Sequence, residues 1–131
     1  MAATLLVRAD ATPAMGTGHV MRCLALATAW RRATGGRVVL LTAADVGPLS
    51  GRIAAAGVEV RTVDVPSLTP GFGSAEDAHA TASVARSEAA AWLVLDGYDF
   101  GHAYQEAVAG GGTPVLVLDD HVHAELSLIH I

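Results

Sequence analysis

Apolar runs without alternation constrain this chain more than any other feature. TLLVR at 4–8, RVVLLT at 37–42, WLVLD at 92–96 and PVLVLDD at 114–120 carry no period-2 pattern of apolar and polar residues. A strand with one wet face would alternate, so these runs predict strands covered on both faces, as in a parallel sheet between two helical layers. VEVRTV at 58–63 is the exception: Glu59 and Arg61 interleave with valine, which suits a strand near the sheet edge.

Between the runs lie Ala-rich segments with helix punctuation. A first helix is expected from about His19 to Ala33, with Val20, Cys23, Leu24, Ala27 and Trp30 on its covered side and Gly35 and Gly36 as its stop. A second runs from about Gly47 to Ala56 and ends at Gly57. A third starts after Ser74 as N-cap, with Asp77 at the capping-box position, and extends to about Ala90; a fourth spans about His102 to Ala109. Strands alternating with helices define an α/β class, a Rossmann-like doubly wound parallel sheet of about five strands, with order 3-2-1-4-5 as the simplest right-handed solution. In such sheets ligands sit outside the carboxyl ends of the strands, which gathers the segments 9–19, 96–102 and 119–123 on one rim.

Composition narrows the class further. At 131 residues, with 52% hydrophobic and 16% charged positions, the chain holds one ordinary domain and a real core. Its mean hydropathy of +0.43 comes from alanine and valine. Arg8, Asp10, Arg22, Arg31, Arg37 and Asp45 break the apolar stretches before any reaches the roughly 18 residues of a spanning helix. A net charge of −5 argues against a nucleic-acid or anionic-membrane surface. One cysteine, Cys23, allows no internal disulfide, and the start carries no secretory pattern, so a cytoplasmic setting is expected.

The strongest local signal is MGTGHVMRC at 15–23, between the first strand and the first helix. Gly16 and Gly18 permit a tight turn and close approach of the backbone to a ligand, and the helix start offers N–H groups and partial positive charge. A dinucleotide fingerprint would need a third glycine where Met21 stands, and a Walker loop needs a lysine that this chain lacks. His19 at the helix start is disfavoured as a cation and so suited to accept a proton, the alternative being a packed helix residue. Arg22 could hold a phosphate, a sugar oxygen or a neighbouring aspartate, or form a surface ion pair. Asp10 could orient the imidazole or cap its loop.

Asp96 and Tyr98 follow the fourth run and reach the same rim; Tyr98 combines a stacking face with a hydroxyl, as sugar binding wants. Asp96 could instead cap the next helix, and Asp99 reads as turn chemistry. Asp119, Asp120, His121 and His123 form a weak metal pattern without a supporting third-ligand motif, so no metal is expected. Cys23 reads as a small core residue, and His79, His102 and His130 as solvated.

Together, RADAT at 8–12, MGTGHVMRCLALA at 15–27, VLDGYDF at 94–100 and VLVLDDHVH at 115–123 resemble the N-terminal half of the PseG family, the UDP-2,4-diacetamido-2,4,6-trideoxy-β-L-altropyranose hydrolases of pseudaminic acid biosynthesis. A bare GxGH is less specific, since it is shared with GT-B glycosyltransferases such as MurG. The resemblance implies a GT-B-like enzyme in which water attacks the anomeric carbon and UDP departs, with His19 catalytic and Asp96, Tyr98, Asp119 and Asp120 in the substrate site. It implies no cofactor and a UDP-sugar as ligand. It covers about residues 4–125, so 1–125 is expected to be the N-terminal Rossmann-like domain, with the C-terminal nucleotide-binding domain absent and the chain inactive alone. Leu126 to Ile131 departs from the family pattern, resembles a translated sequencing adapter, and is expected to be a non-native tail.

Overall fold

The computed structural model of the chain describes residues 3–9, 18–43, 47–63, 75–96, 102–118 and 129–130. Each uninterrupted run forms a strand: β1 (Thr4–Ala9), β2 (Val38–Thr42), β4 (Ala90–Asp96) and β5 (Val115–Leu118), with β3 (Glu59–Thr62) between β2 and β4 in the chain. A two-residue β6 (Ile129–His130) follows β5. All pair in parallel in the order β3-β2-β1-β4-β5-β6, so the doubly wound order is as expected and β6 extends it by one edge strand within the 126–131 segment.

The helices are α1 (Gly18–Thr34), α2 (Ser50–Ala55, preceded by a 3-10 turn at Gly47–Leu49), α3 (Ala75–Ser87) and α4 (His102–Ala109). Gly35 and Gly57 end α1 and α2 with φ of +69° and +74°, left-handed values that glycine adopts without a Cβ penalty. α3 stops earlier than its alanine content suggests. Ala89 takes φ +52° and its N–H bonds to Arg86 O, and Ala90 already belongs to β4. With no glycine to mark the stop, helix propensity alone overruns it. The Ser74 cap lies outside the described residues.

Two cores sandwich the sheet. On one face Leu5, Val7, Val38 and Leu40 pack against Cys23 and Ala27 of α1 and Ile53 of α2. On the other, Leu6, Val39, Leu93 and Leu95 pack against Ala78 and Ala85 of α3 and Tyr104 and Val108 of α4. Odd and even residues of β1 thus face different helices, and all six are buried; this double burial is why the run shows no alternation. Each Leu or Val so buried stabilises the fold by about 1.5–3 kcal/mol. β3 is exposed at all four positions. Its charges are tied down: Glu59 accepts both arms of Arg37 at 2.7 and 3.0 Å, and Arg61 donates to Glu88 at 2.8 Å. Such charged pairs suit a sheet edge that must not pair with another chain. Trp30 anchors α1 to the start of β1 through Nε1–H to Ala3 O at 2.9 Å.

Candidate functional site

The parallel arrangement brings the carboxyl ends of β1 and β4 together, with Ala9 in register with Asp96. α1 starts beside them. Gly18 and His19 are its first two residues, so the helix N-terminus expected from the glycine turn stands at this rim. Of the other candidates, Asp10, Gly16, Tyr98, Asp119 and Asp120 lie outside the described residues, as do Asp99, His121 and His123.

Arg22 and Asp96 are brought together. Asp96 is fully buried at the end of β4 and Arg22, on α1, keeps a third of its side chain exposed. The guanidinium grips the carboxylate with both arms: Nε–H donates to Oδ2 at 3.1 Å and an NH2 donates to Oδ1. A two-pronged contact of this kind fixes the plane of the guanidinium as well as its position. Of the alternatives for Arg22, a neighbouring aspartate is the partner that the geometry provides, and Asp96 turns back onto α1.

Cys23 joins the pair. Its Sγ–H donates to Asp96 Oδ2 at 3.2 Å. Burial, then the Asp96 charge and the hydrogen bond to it, push the thiol well above its ordinary range, so it stays protonated and is no nucleophile. Cys23 is the small core residue expected, yet its bond to a carboxylate 73 positions away leaves no local signal in the chain.

A second polar cluster lies on the opposite face of the sheet and was not legible in the sequence at all. Arg8, buried completely within β1, donates Nε–H to Asp77 Oδ1 at 3.0 Å and NH2 to Oδ2 at 2.5 Å, and reaches Leu41 O at 3.4 Å. Tyr104 donates its hydroxyl to Asp77 Oδ1 at 2.6 Å, and Thr81 to the same oxygen at 3.1 Å. Burial pushes the Asp77 carboxyl up, but hydrogen bonds from Arg8 and Tyr104 and the guanidinium charge outweigh it, so the group lies below its ordinary value. Tyr104 moves the other way, raised by burial and by its bond to Asp77. The described partners of Asp77, expected in a capping box, are thus core groups.

A cavity of about 200 Å³ lined by Leu5, Leu26, Trp30, Trp92, Val94 and Leu116 opens on the α1 face, toward the amino ends of the strands. Its walls are apolar, which separates it in place and chemistry from the rim. Among the described residues no three His, Cys, Asp or Glu side chains converge as metal ligands, and no helix is long and apolar enough to cross a membrane.

No protein-family model matches the chain, and no curated protein matches it. Solved structures do. MurG from Acinetobacter baumannii superposes with a TM-score of 0.64 at 17% identity over 88% of this chain, which spans 35% of the MurG chain. A UGT transferase from Siraitia grosvenorii in complex with UDP matches at TM-score 0.54 and 23% identity, over 88% of this chain and 23% of its own. The C-terminal domain of a hydrogenase from Pyrococcus furiosus also matches, at TM-score 0.54 and 16% identity, over 88% of this chain and 89% of its own. The chain therefore has a GT-B-like, Rossmann-like α/β fold and spans about a third of the MurG enzyme it matches. The hydrogenase match shows that this sheet also serves other proteins, so the fold leaves the chemistry to the site.

Proposed function

We propose that this chain is the sugar-binding half of a nucleotide-sugar enzyme, and that the reaction is hydrolysis of a UDP-linked diacetamido-trideoxy sugar to UDP and free sugar, as in pseudaminic acid biosynthesis. One observation carries the reading. The helix of the GTGHVMRC element starts at the carboxyl-end rim, with Arg22 gripped by the buried Asp96 beside it. In this reading His19, in the first turn of α1, takes a proton from water attacking the anomeric carbon, and its placement at a helix N-terminus favours the neutral form that a base requires. UDP is a good leaving group, so a single base suffices without the two carboxylates of ordinary glycosidases. Gly16 and Gly18 let the backbone approach the ligand, and Asp10, Tyr98, Asp119 and Asp120 complete the sugar site. The setting is cytoplasmic, and no cofactor or metal takes part.

In this reading UDP is held by a second domain that forms the other wall of the cleft. Without it the departing diphosphate is neither positioned nor charge-stabilised, and the 131-residue chain alone is inactive. The test is UDP release from the diacetamido UDP-sugar by a longer protein carrying this chain, with and without His19→Ala. Release that survives the substitution removes His19 as the base.

A second reading, transfer of the sugar to an acceptor, is favoured by the MurG and UGT transferase likenesses. It predicts a glycoside instead of free sugar as product. A non-catalytic binding module predicts tight UDP binding by the 131-residue chain and no turnover by the longer one.

A further inference from the structure

Arg22 and Cys23 are consecutive on α1, about 100° apart around the helix axis. One is buried against the sheet and the other reaches the rim, yet both bond the same carboxylate. We infer that Cys23 is a positioning residue for Arg22: its S–H bond sets the rotation of the Asp96 carboxylate, and that carboxylate holds the guanidinium at the rim in a fixed orientation toward a ligand's oxygen atoms.

An arginine side chain loses much of its rotamer freedom when held in one geometry, so it stays put only if its anchor does. The terminal torsion of an aspartate is broad, so each bond to the carboxylate narrows its rotation. Cys23 contributes one such bond. Its Sγ lies 3.2 Å from Oδ2, the oxygen that also accepts Arg22 Nε–H, and it approaches from the buried side of α1.

A thiol fits this position for two reasons at once. It packs among Ala27, Val7 and Val94 as a small hydrophobe, and it still offers a donor. Serine would donate more strongly but be less at home in that core. Because burial and Asp96 keep the thiol protonated, the donor persists through the neutral range. Asp96 is thereby a buried anchor, and Arg22 is the member of the trio that meets the ligand.

That last step rests on the rim being the ligand site; the positioning itself does not, and its test reads no turnover. The 131-residue chain labelled with ¹⁵N at arginine reports the Arg22 Nε–H, assigned by its loss in Arg22→Ala. Hydrogen exchange at this group should quicken roughly tenfold in Cys23→Ala, as befits loss of a hydrogen bond to a charged group, and return to within about twofold of the parent in Cys23→Ser. Cys23→Val, which keeps the volume without a donor, replaces the alanine variant if that one fails to fold. Since the chain has a single cysteine, its one infrared S–H stretching band reports the bond directly and should move to higher frequency in Asp96→Asn. Parent-like exchange in Cys23→Ala or Cys23→Val, or an S–H band indifferent to Asp96→Asn, overturns the inference. Failed hydrolysis in the longer protein would instead count against the proposed function and leave these readouts intact.

Discussion

Two guanidinium–carboxylate pairs stand back to back across this sheet, and they are built for different ends. Arg8 and Ala9 are neighbours on β1; Arg8 faces α3 and α4 and binds Asp77, while Ala9 is in register with Asp96, which faces α1 and binds Arg22. Both members of the first pair are completely buried, and Tyr104 and Thr81 add bonds to the same carboxylate. In the second, the carboxylate is buried and the guanidinium is a third exposed. A charge sealed in a core with its needs met locks helices onto a strand. A charge held by a buried carboxylate and a third exposed stands where the chain meets its surroundings.

Breaking the inner pair should cost most. Asp77→Ala leaves Arg8 charged in the core and is expected to lower stability by about 3–5 kcal/mol in denaturant titrations. Replacing both partners, Arg8→Met with Asp77→Leu, should recover much of that loss, since no uncompensated charge remains; a double variant as unstable as the single one would mean that the network does more than neutralise. At the rim the balance shifts toward activity. Arg22→Ala leaves the buried Asp96 carboxylate without its guanidinium, and should cost about 1–3 kcal/mol, less than at the inner pair because Arg22 is a third exposed and Cys23 still donates to Asp96. On the proposed reading, sugar-nucleotide turnover by a longer protein carrying this chain falls on the order of 100-fold.

Acid sharpens the contrast. Asp77 has a folded value below its ordinary 3.8, so it contributes stability that is fully present above that value and is lost as pH falls through the folded one. Denaturant midpoints of the parent should therefore fall steeply in the acid range, and those of Asp77→Asn less so. Tyr104→Phe, which removes one donor to Asp77, is expected to cost about 1–2 kcal/mol. The smallest effect lies outside both pairs: Ala89→Gly relieves the left-handed strain at the end of α3 and should stabilise by up to about 1 kcal/mol, read as a rise in melting temperature.

Much of the fold could be read from residue order. The uninterrupted runs became the inner strands, Gly35 and Gly57 ended the helices they were expected to end, and alternation in 58–63 marked an exposed edge strand. The end of α3 is not legible in the sequence because Ala89 performs a turn that composition assigns to glycine. At the site, the strand–glycine turn–helix order located the start of α1 and, through parallel topology, the rim that Arg22 and Asp96 share. Arg8 read only as an interruption of an apolar stretch. Nothing local in the chain distinguishes an arginine that ends a strand from one sealed inside it.

The difference has a physical basis. Which segments are strands, and that they lie between helical layers, follows from hydrophobic period and backbone conformation, properties of residues within a few positions of one another. Which arginine meets which aspartate joins residues 69 and 74 positions apart. Such pairing depends on strand register and on how each helix is rotated over the sheet, and a shift of one residue in β1 would exchange the faces on which Arg8 and Ala9 stand. The layers were set by local pattern, and the partnership of the charges by packing.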